Sequence, residues 1–154
     1  MTPGNPLKKN GPAPLERRIA ASRRLARHPR IAVTAFERDL PTRYTADTLA
    51  HVVTRRPDAR FVWIMGADNL ATFHEWQQWR RIAETLPIAV VDRPGSTLSF
   101  TSSRAAIALA RHRIDESDAP LLAAMPPPAW VFLHGPRSSQ SSTAIRAHQS
   151  AHGT

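Results

Sequence analysis

Phe61-Val62-Trp63-Ile64-Met65-Gly66-Ala67-Asp68-Asn69-Leu70 is the stretch that decides the fold. Its first five residues are apolar without alternation, the pattern of a strand covered on both faces in a parallel sheet. Gly66 ends the run and lets a ligand approach the backbone closely. Asp68 follows where a helix is expected to open. Three further runs have the same character: residues 31–36, Ile88-Ala89-Val90-Val91 and Trp130-Val131-Phe132-Leu133.

Helical patterns separate these strands. Residues 15–27 place Leu15, Ile19, Ser22 and Leu25 near one face with arginines opposite, and Pro29 follows. Residues 46–55 carry Leu49, Val52 and Val53, with Thr45 as the expected N-cap and Pro57 beyond. Residues 75–84 carry Trp76, Trp79 and Ile82 or Ala83, and residues 102–113 carry Ala105, Ala106, Leu109 and Ala110. Alternation of strand and helix implies a doubly wound α/β domain. Residues 119–129, with prolines at 126, 127 and 128, read as a stiff linker or loop inside that domain. There is no internal repeat.

Composition narrows the function. A length of 154 residues is one domain by the usual size prior. The absence of cysteine excludes disulfides, thiolate zinc sites and cysteine nucleophiles. No run of about eighteen apolar residues is present, as a helical membrane span requires, and residues 1–8 have no signal-like apolar core. A cytoplasmic location is therefore expected. The net charge is +9, and Lys8 and Lys9 are the only lysines beside 19 arginines. Arginine offers a rigid fork of donors matched to phosphate, although an arginine-favouring codon bias gives the same count. The basic residues are scattered, which counts against a nucleic-acid surface.

In α/β sheets of this kind, ligands bind beyond the carboxyl ends of the strands. Gly66 and Asp68 stand there, and so would an ordinary Asp-containing turn. Trp76, near that strand end, is placed to stack on a flat aromatic ligand, whereas Trp79 reads as core. His74 reads as a loop histidine. Arg93, in Asp92-Arg93-Pro94-Gly95, projects either toward phosphate or into solvent. Ser141, Ser142 and Thr143 open a helix with hydroxyls, as an N-cap and as an anion site, with Arg146 one turn on. Asn5 and Lys8 bring an amide and an ammonium near the start of the sheet. His148 and His152 read as solvated residues of a tail spanning 148–154.

Taken in order, these segments resemble the bacterial nicotinate-nucleotide adenylyltransferase family. The matching stretches are residues 2–8, Tyr44-Thr45-Ala46-Asp47-Thr48-Leu49, residues 61–70, Phe73-His74-Glu75-Trp76, Arg93-Pro94-Gly95 and Ser141-Ser142-Thr143-Ala144-Ile145-Arg146. The resemblance spans residues 2 to about 147 and implies a Rossmann-like nucleotidyltransferase domain over residues 1–147. It implies transfer of AMP from ATP to nicotinate mononucleotide, with Mg²⁺, giving deamido-NAD and pyrophosphate. By the same resemblance, Trp76 stacks on the nicotinate ring and Thr45 helps hold that base. Gly66 and Asp68 line the dinucleotide near its sugars and adenine. Ser141, Ser142 and Arg146 hold ATP phosphates, with Asn5, Lys8 and Arg93 nearby. Neither nucleic acid nor membrane is an expected partner.

One family element is absent. The 154 residues contain no His-x-Gly-His, the phosphate-binding element that follows the family's first strand. The resemblance therefore implies a chain truncated at its N-terminus, lacking the first βα unit and with no catalytic residue of its own. Such a chain is expected to expose apolar sheet surface and an unpaired edge, and to be poorly soluble and nearly inactive until the upstream segment is restored. A related adenylyltransferase with another acceptor, a non-catalytic nucleotide-binding remnant and a basic RNA-binding module are the alternative readings.

Overall fold

The computed structural model describes residues 14–92 and 102–135. The chain divides into two compact units, residues 1–59 and 60–154. In the first, α1 spans Leu15–Leu25 and α2 spans Thr45–Arg55, with a 3-10 turn at Phe36–Asp39 between them. α1 has no fully buried residue, and Leu25, expected on its apolar face, is exposed. The strand expected over residues 31–36 does not form. Ile31 and Phe36 are 56% and 41% exposed, and no described strand lies alongside to satisfy the backbone.

The second unit holds a four-stranded sheet, β1 (Trp63–Gly66), β2 (Ile88–Val91), β3 (Arg113–Ile114) and β4 (Trp130–Leu133), ordered β1-β2-β4-β3. Every pairing is parallel. This is the α/β architecture with a parallel sheet that the continuous apolar runs imply. β1 lies two residues later than the start of its apolar run, and β3 is too short for any sequence pattern to mark.

Register explains the core. Met65, Val90 and Phe132 stand level across three strands, and all are buried. On this side α3 (Ala67–Thr72) contacts β1, β2 and α5 (Arg104–Ala108). The other face carries Ile64, Ala89 and Val131 in one row. Ala89 and Val131 are covered by Leu122, with Met125 and Ala119 beside them. Leu122 and Ala119 belong to a 3-10 segment, Glu116–Ala124. Residues 119–129 are therefore not a linker: their first half is part of the core, because Leu122 buries against β4.

Two expected helices are broken. Residues 75–84 do not form one helix. A 3-10 turn, Phe73–Glu75, is followed by α4 at Trp79–Thr85. Gln78 intervenes in the left-handed region at φ 55°, ψ 37°, a conformation that interrupts a right-handed helix. Residues 102–113 give α5, a 3-10 turn at Ala110–His112 and then β3. The buried Ser103 caps α5 by accepting the Ala106 N–H at 3.1 Å.

Candidate active site

Parallel pairing brings the carboxyl ends of all four strands to one edge. Gly66 ends β1, Asp92 follows β2, His134 follows β4, and Asp115 and Glu116 follow β3. Gly66 is buried and extended, at φ −79° and ψ 155°, so β1 runs directly into α3. Its torsions are open to any residue, and nothing in the backbone conformation itself demands glycine. Asp68 is exposed in the first turn of α3, two residues past the Gly66 N-cap, where the positive end of the helix favours an acid.

Trp76 sits in an aromatic cluster. Its ring meets Trp63 at 5.6 Å and Phe73 at 6.0 Å, both edge to face. Phe73 is fully buried and forms the hub, touching Trp63 and Trp79 at 5.7 Å each. The two tryptophans do not share a helical face as expected. Trp76 is extended after the 3-10 turn, while Trp79 opens α4 beyond the Gln78 break. Trp76 remains half-buried, so part of its surface stays open. Trp79 is also half-buried, with the Arg80 guanidinium 4.5 Å over its ring. His74 is not a plain loop histidine: its Nδ1 is shielded and has no hydrogen-bond partner, and its Nε2 lies 3.9 Å from Glu75.

Thr45 is the first helical residue of α2, not its N-cap, which is Tyr44. No side-chain cap bond is made there. The work passes to Thr42, whose Oγ1 donates to Asp47 Oδ2 at 2.8 Å and accepts the Tyr44 N–H at 3.1 Å. Residues Leu40, Thr42, Tyr44 and Asp47 line an open hollow of about 410 Å³. Thr45 belongs to the first unit, and Gly66, Asp68 and Trp76 to the second. Asn5, Lys8, Arg93, Ser141, Ser142 and Arg146 lie outside the described residues, as do His148 and His152.

Sequence reasoning missed one pairing at the carboxyl edge. Glu116 Oε1 accepts the backbone N–H of His134 at 2.7 Å. The same carboxylate places Oε2 2.6 Å from His134 Nδ1. An ionised carboxylate only accepts, so Nδ1 carries the proton. The His134 hydrogen bonds, ring first and backbone second, hold the Glu116 carboxyl below its usual range. The neighbouring Asp115 is lowered by the Ser117 N–H and then by its hydroxyl. Phe132 supports the imidazole edge to face at 4.8 Å. Together with Arg113 and Ile114 they border a hollow of about 500 Å³. The pair is separated by eighteen positions, and only the topology joins β3 to β4. Among the described residues no cluster of three or more His, Asp or Glu side chains could hold a metal ion, and no helix is long and apolar enough to cross a membrane.

Comparison with known proteins now bears on this edge. The Cytidylyltransferase-like family matches residues 1–148. A protein of Agrobacterium fabrum strain C58, named "Probable nicotinate-nucleotide adenylyltransferase", is 62% identical over 147 residues, covering 95% of this chain and 79% of the relative. A protein of the same name from Brucella abortus strain 2308 is 58% identical, covering 97% and 77%. Another, from Rhizobium johnstonii strain 3841, is 60% identical, covering 95% and 74%. Identity at this level over nearly the whole chain leaves no room for a different fold or a chance resemblance. The chain belongs to the cytidylyltransferase-like family and, within it, to the nicotinate-nucleotide adenylyltransferases.

Proposed function

We propose that the protein transfers AMP from ATP to nicotinate mononucleotide, giving deamido-NAD and releasing pyrophosphate, as a step of NAD biosynthesis. The observation that carries this reading is the 58–62% identity to proteins of that name over 95–97% of the chain. The parallel sheet supports it, because its carboxyl edge is where such folds receive nucleotides.

The chemistry needs no protein base. The phosphate of the mononucleotide is already a nucleophile; its oxygen attacks the α-phosphorus of ATP, and the bond to the pyrophosphate oxygen breaks. Catalysis is then alignment plus neutralisation of the developing charge. In this proposal the open part of Trp76 stacks on the pyridine. Gly66 gives way to the sugars without a side chain, and Asp68 accepts from ribose or adenine. Ser141, Ser142 and Arg146 take the triphosphate, with Asn5, Lys8 and Arg93 as further phosphate contacts. ATP enters as its Mg²⁺ complex. Mg²⁺ keeps several waters and is held chiefly through substrate phosphates. A cytoplasmic location goes with these substrates.

Pyrophosphate release tests the proposal. The full-length protein is given MgATP with nicotinate mononucleotide, nicotinamide mononucleotide or phosphopantetheine. The expected result is kcat/KM highest for nicotinate mononucleotide, by about tenfold or more, a margin of about 1.4 kcal/mol in transition-state binding. Faster turnover with phosphopantetheine would overturn the reading.

A further inference from the structure

The strand order reverses beside β4. From β2 the chain passes out to β3 at the end of the sheet and then comes back to β4, which lies between them. The connections part as well. α3 and α5, which follow β1 and β2, contact one another on the face of Met65 and Val90. The segment Glu116–Ala124, which follows β3, covers Ala89 and Val131 on the opposite face through Leu122. Ligands of such sheets bind beyond the carboxyl ends, in the crevice where the order reverses. The hollow of about 500 Å³ that Glu116, Phe132 and His134 border stands at this point. Ligand pockets run from roughly 300 to 1,000 Å³.

One group on this hollow has its chemistry fixed. The His134 side chain is 56% exposed, yet its ring cannot turn freely. Its Nδ1–H is committed to Glu116 Oε2 at 2.6 Å, and Oε1 of the same carboxylate accepts the His134 backbone N–H at 2.7 Å. Phe132 supports the ring from its edge at 4.8 Å. The carboxylate is itself based on an anchored turn, since Asp115 accepts the Ser117 N–H and hydroxyl at 2.9 and 2.8 Å. With the proton held at Nδ1, the exposed Nε2 carries a lone pair and acts as an acceptor. It takes a hydrogen bond from an amine and is repelled by a carbonyl oxygen.

We infer that this hollow is a base site for a nucleotide whose purine carries an amine where inosine has a carbonyl: His134 Nε2 reads the amine, and Glu116 sets the tautomer that lets it. The inference rests on the use of ATP proposed above, not on the acceptor. Two nucleotides can bring such a base, the reacting ATP or a second adenine nucleotide bound beside it. Glu116→Gln distinguishes tautomer control from simple packing, because it reverses the rule. The His134 backbone N–H can only donate, so it claims the glutamine oxygen. The glutamine amine then faces Nδ1, which must accept. The ring proton moves to Nε2, and the position that accepted now donates.

Titration calorimetry of the full-length protein with ATP and with ITP, each with Mg²⁺ and without nicotinate mononucleotide, tests it. The wild type is expected to bind ATP about tenfold more tightly than ITP, the worth of one well-placed hydrogen bond in a site built for it. His134→Ala should bring the two within about twofold by weakening ATP. Glu116→Gln should remove the preference and turn it toward ITP. Thermal melts confirm that each variant folds. A preference that is unchanged in both variants, or variants that weaken ATP and ITP alike, would overturn the inference and leave the use of ATP standing. A wild type that binds neither nucleotide would sink the use of ATP and this inference with it. Pyrophosphate release in the same variants locates the base. A ratio of kcat/KM for ATP over ITP that moves in step with binding identifies the reacting ATP, and a change confined to binding identifies a second nucleotide.

Discussion

Trp76 packs in an aromatic cluster and, in the proposed function, also recognises the pyridine. Its edge-to-face contacts with Trp63 and Phe73 are of the kind worth about 0.5–1.5 kcal/mol beyond burial. Replacing it therefore lowers stability as well as removing the proposed platform for the pyridine. The two effects separate by measurement. Trp76→Ala in the full-length protein is expected to raise KM for nicotinate mononucleotide about tenfold, since stacking on an aromatic side chain is worth roughly 1–3 kcal/mol per base, and to leave KM for ATP in place. Trp76→Phe keeps a smaller ring and should lose less. A lowered melting temperature with both KM values intact would reduce Trp76 to a packing residue. Phe73 offers the contrast, since it is fully buried at the hub of the cluster and has no surface left for a ligand.

Among the elements, strands β2 and β4 were legible because a buried parallel strand is an unbroken apolar run, and Ile88–Val91 and Trp130–Leu133 are such runs. Residues 31–36 show why the same signal fails: apolarity without a neighbouring strand leaves Ile31 and Phe36 exposed. The Gln78 break was hidden, because a non-glycine residue at positive φ carries no sequence mark. Of the candidate site, what was legible is position: Gly66 and Asp68 could be placed at the carboxyl end of β1 because they follow an apolar run. The Glu116–His134 tether could not, since eighteen residues and a strand order lie between its partners. The tether carries a pH signature. Glu116 has a carboxyl lowered by His134, so its contribution to stability is present above the unfolded value, about 4.3, and is lost as pH falls through the folded value. The charged neighbours on that edge are His134, Asp115 and Arg113. Asp58 is lowered by Arg56, far from this substitution, and Asp115 chiefly by Ser117, a partner that Glu116→Gln leaves in place. The difference in melting temperature between wild type and Glu116→Gln, measured at pH 5.5, should therefore shrink as pH falls below about 4. A difference that survives unchanged to pH 3 would mean the carboxylate charge is not what holds His134.

At the scale of the whole molecule, the sheet is covered unevenly. Ile64, Ala89 and Val131 form one row on one face, yet Ala89 and Val131 are buried while Ile64 is 68% exposed. The 3-10 segment Glu116–Ala124 reaches over β4 and β2 but leaves β1, the outer strand among the described residues. Parallel sheets are ordinarily covered on both faces, and an outer strand with an apolar side chain in solvent invites association. The net charge of +9 opposes that association at low salt. Screening within about 8 Å at 0.15 M removes much of the opposition, so the 154-residue chain should self-associate more as salt rises. Ile64→Lys places a charge where the apolar contact would form. It should return the sedimentation profile at 0.15 M salt to that of the monomer. An exposed substitution costs within about 0.5 kcal/mol, so the melting temperature should hardly move. Association that persists in Ile64→Lys, or that weakens as salt is added, would show that this face is not the one responsible.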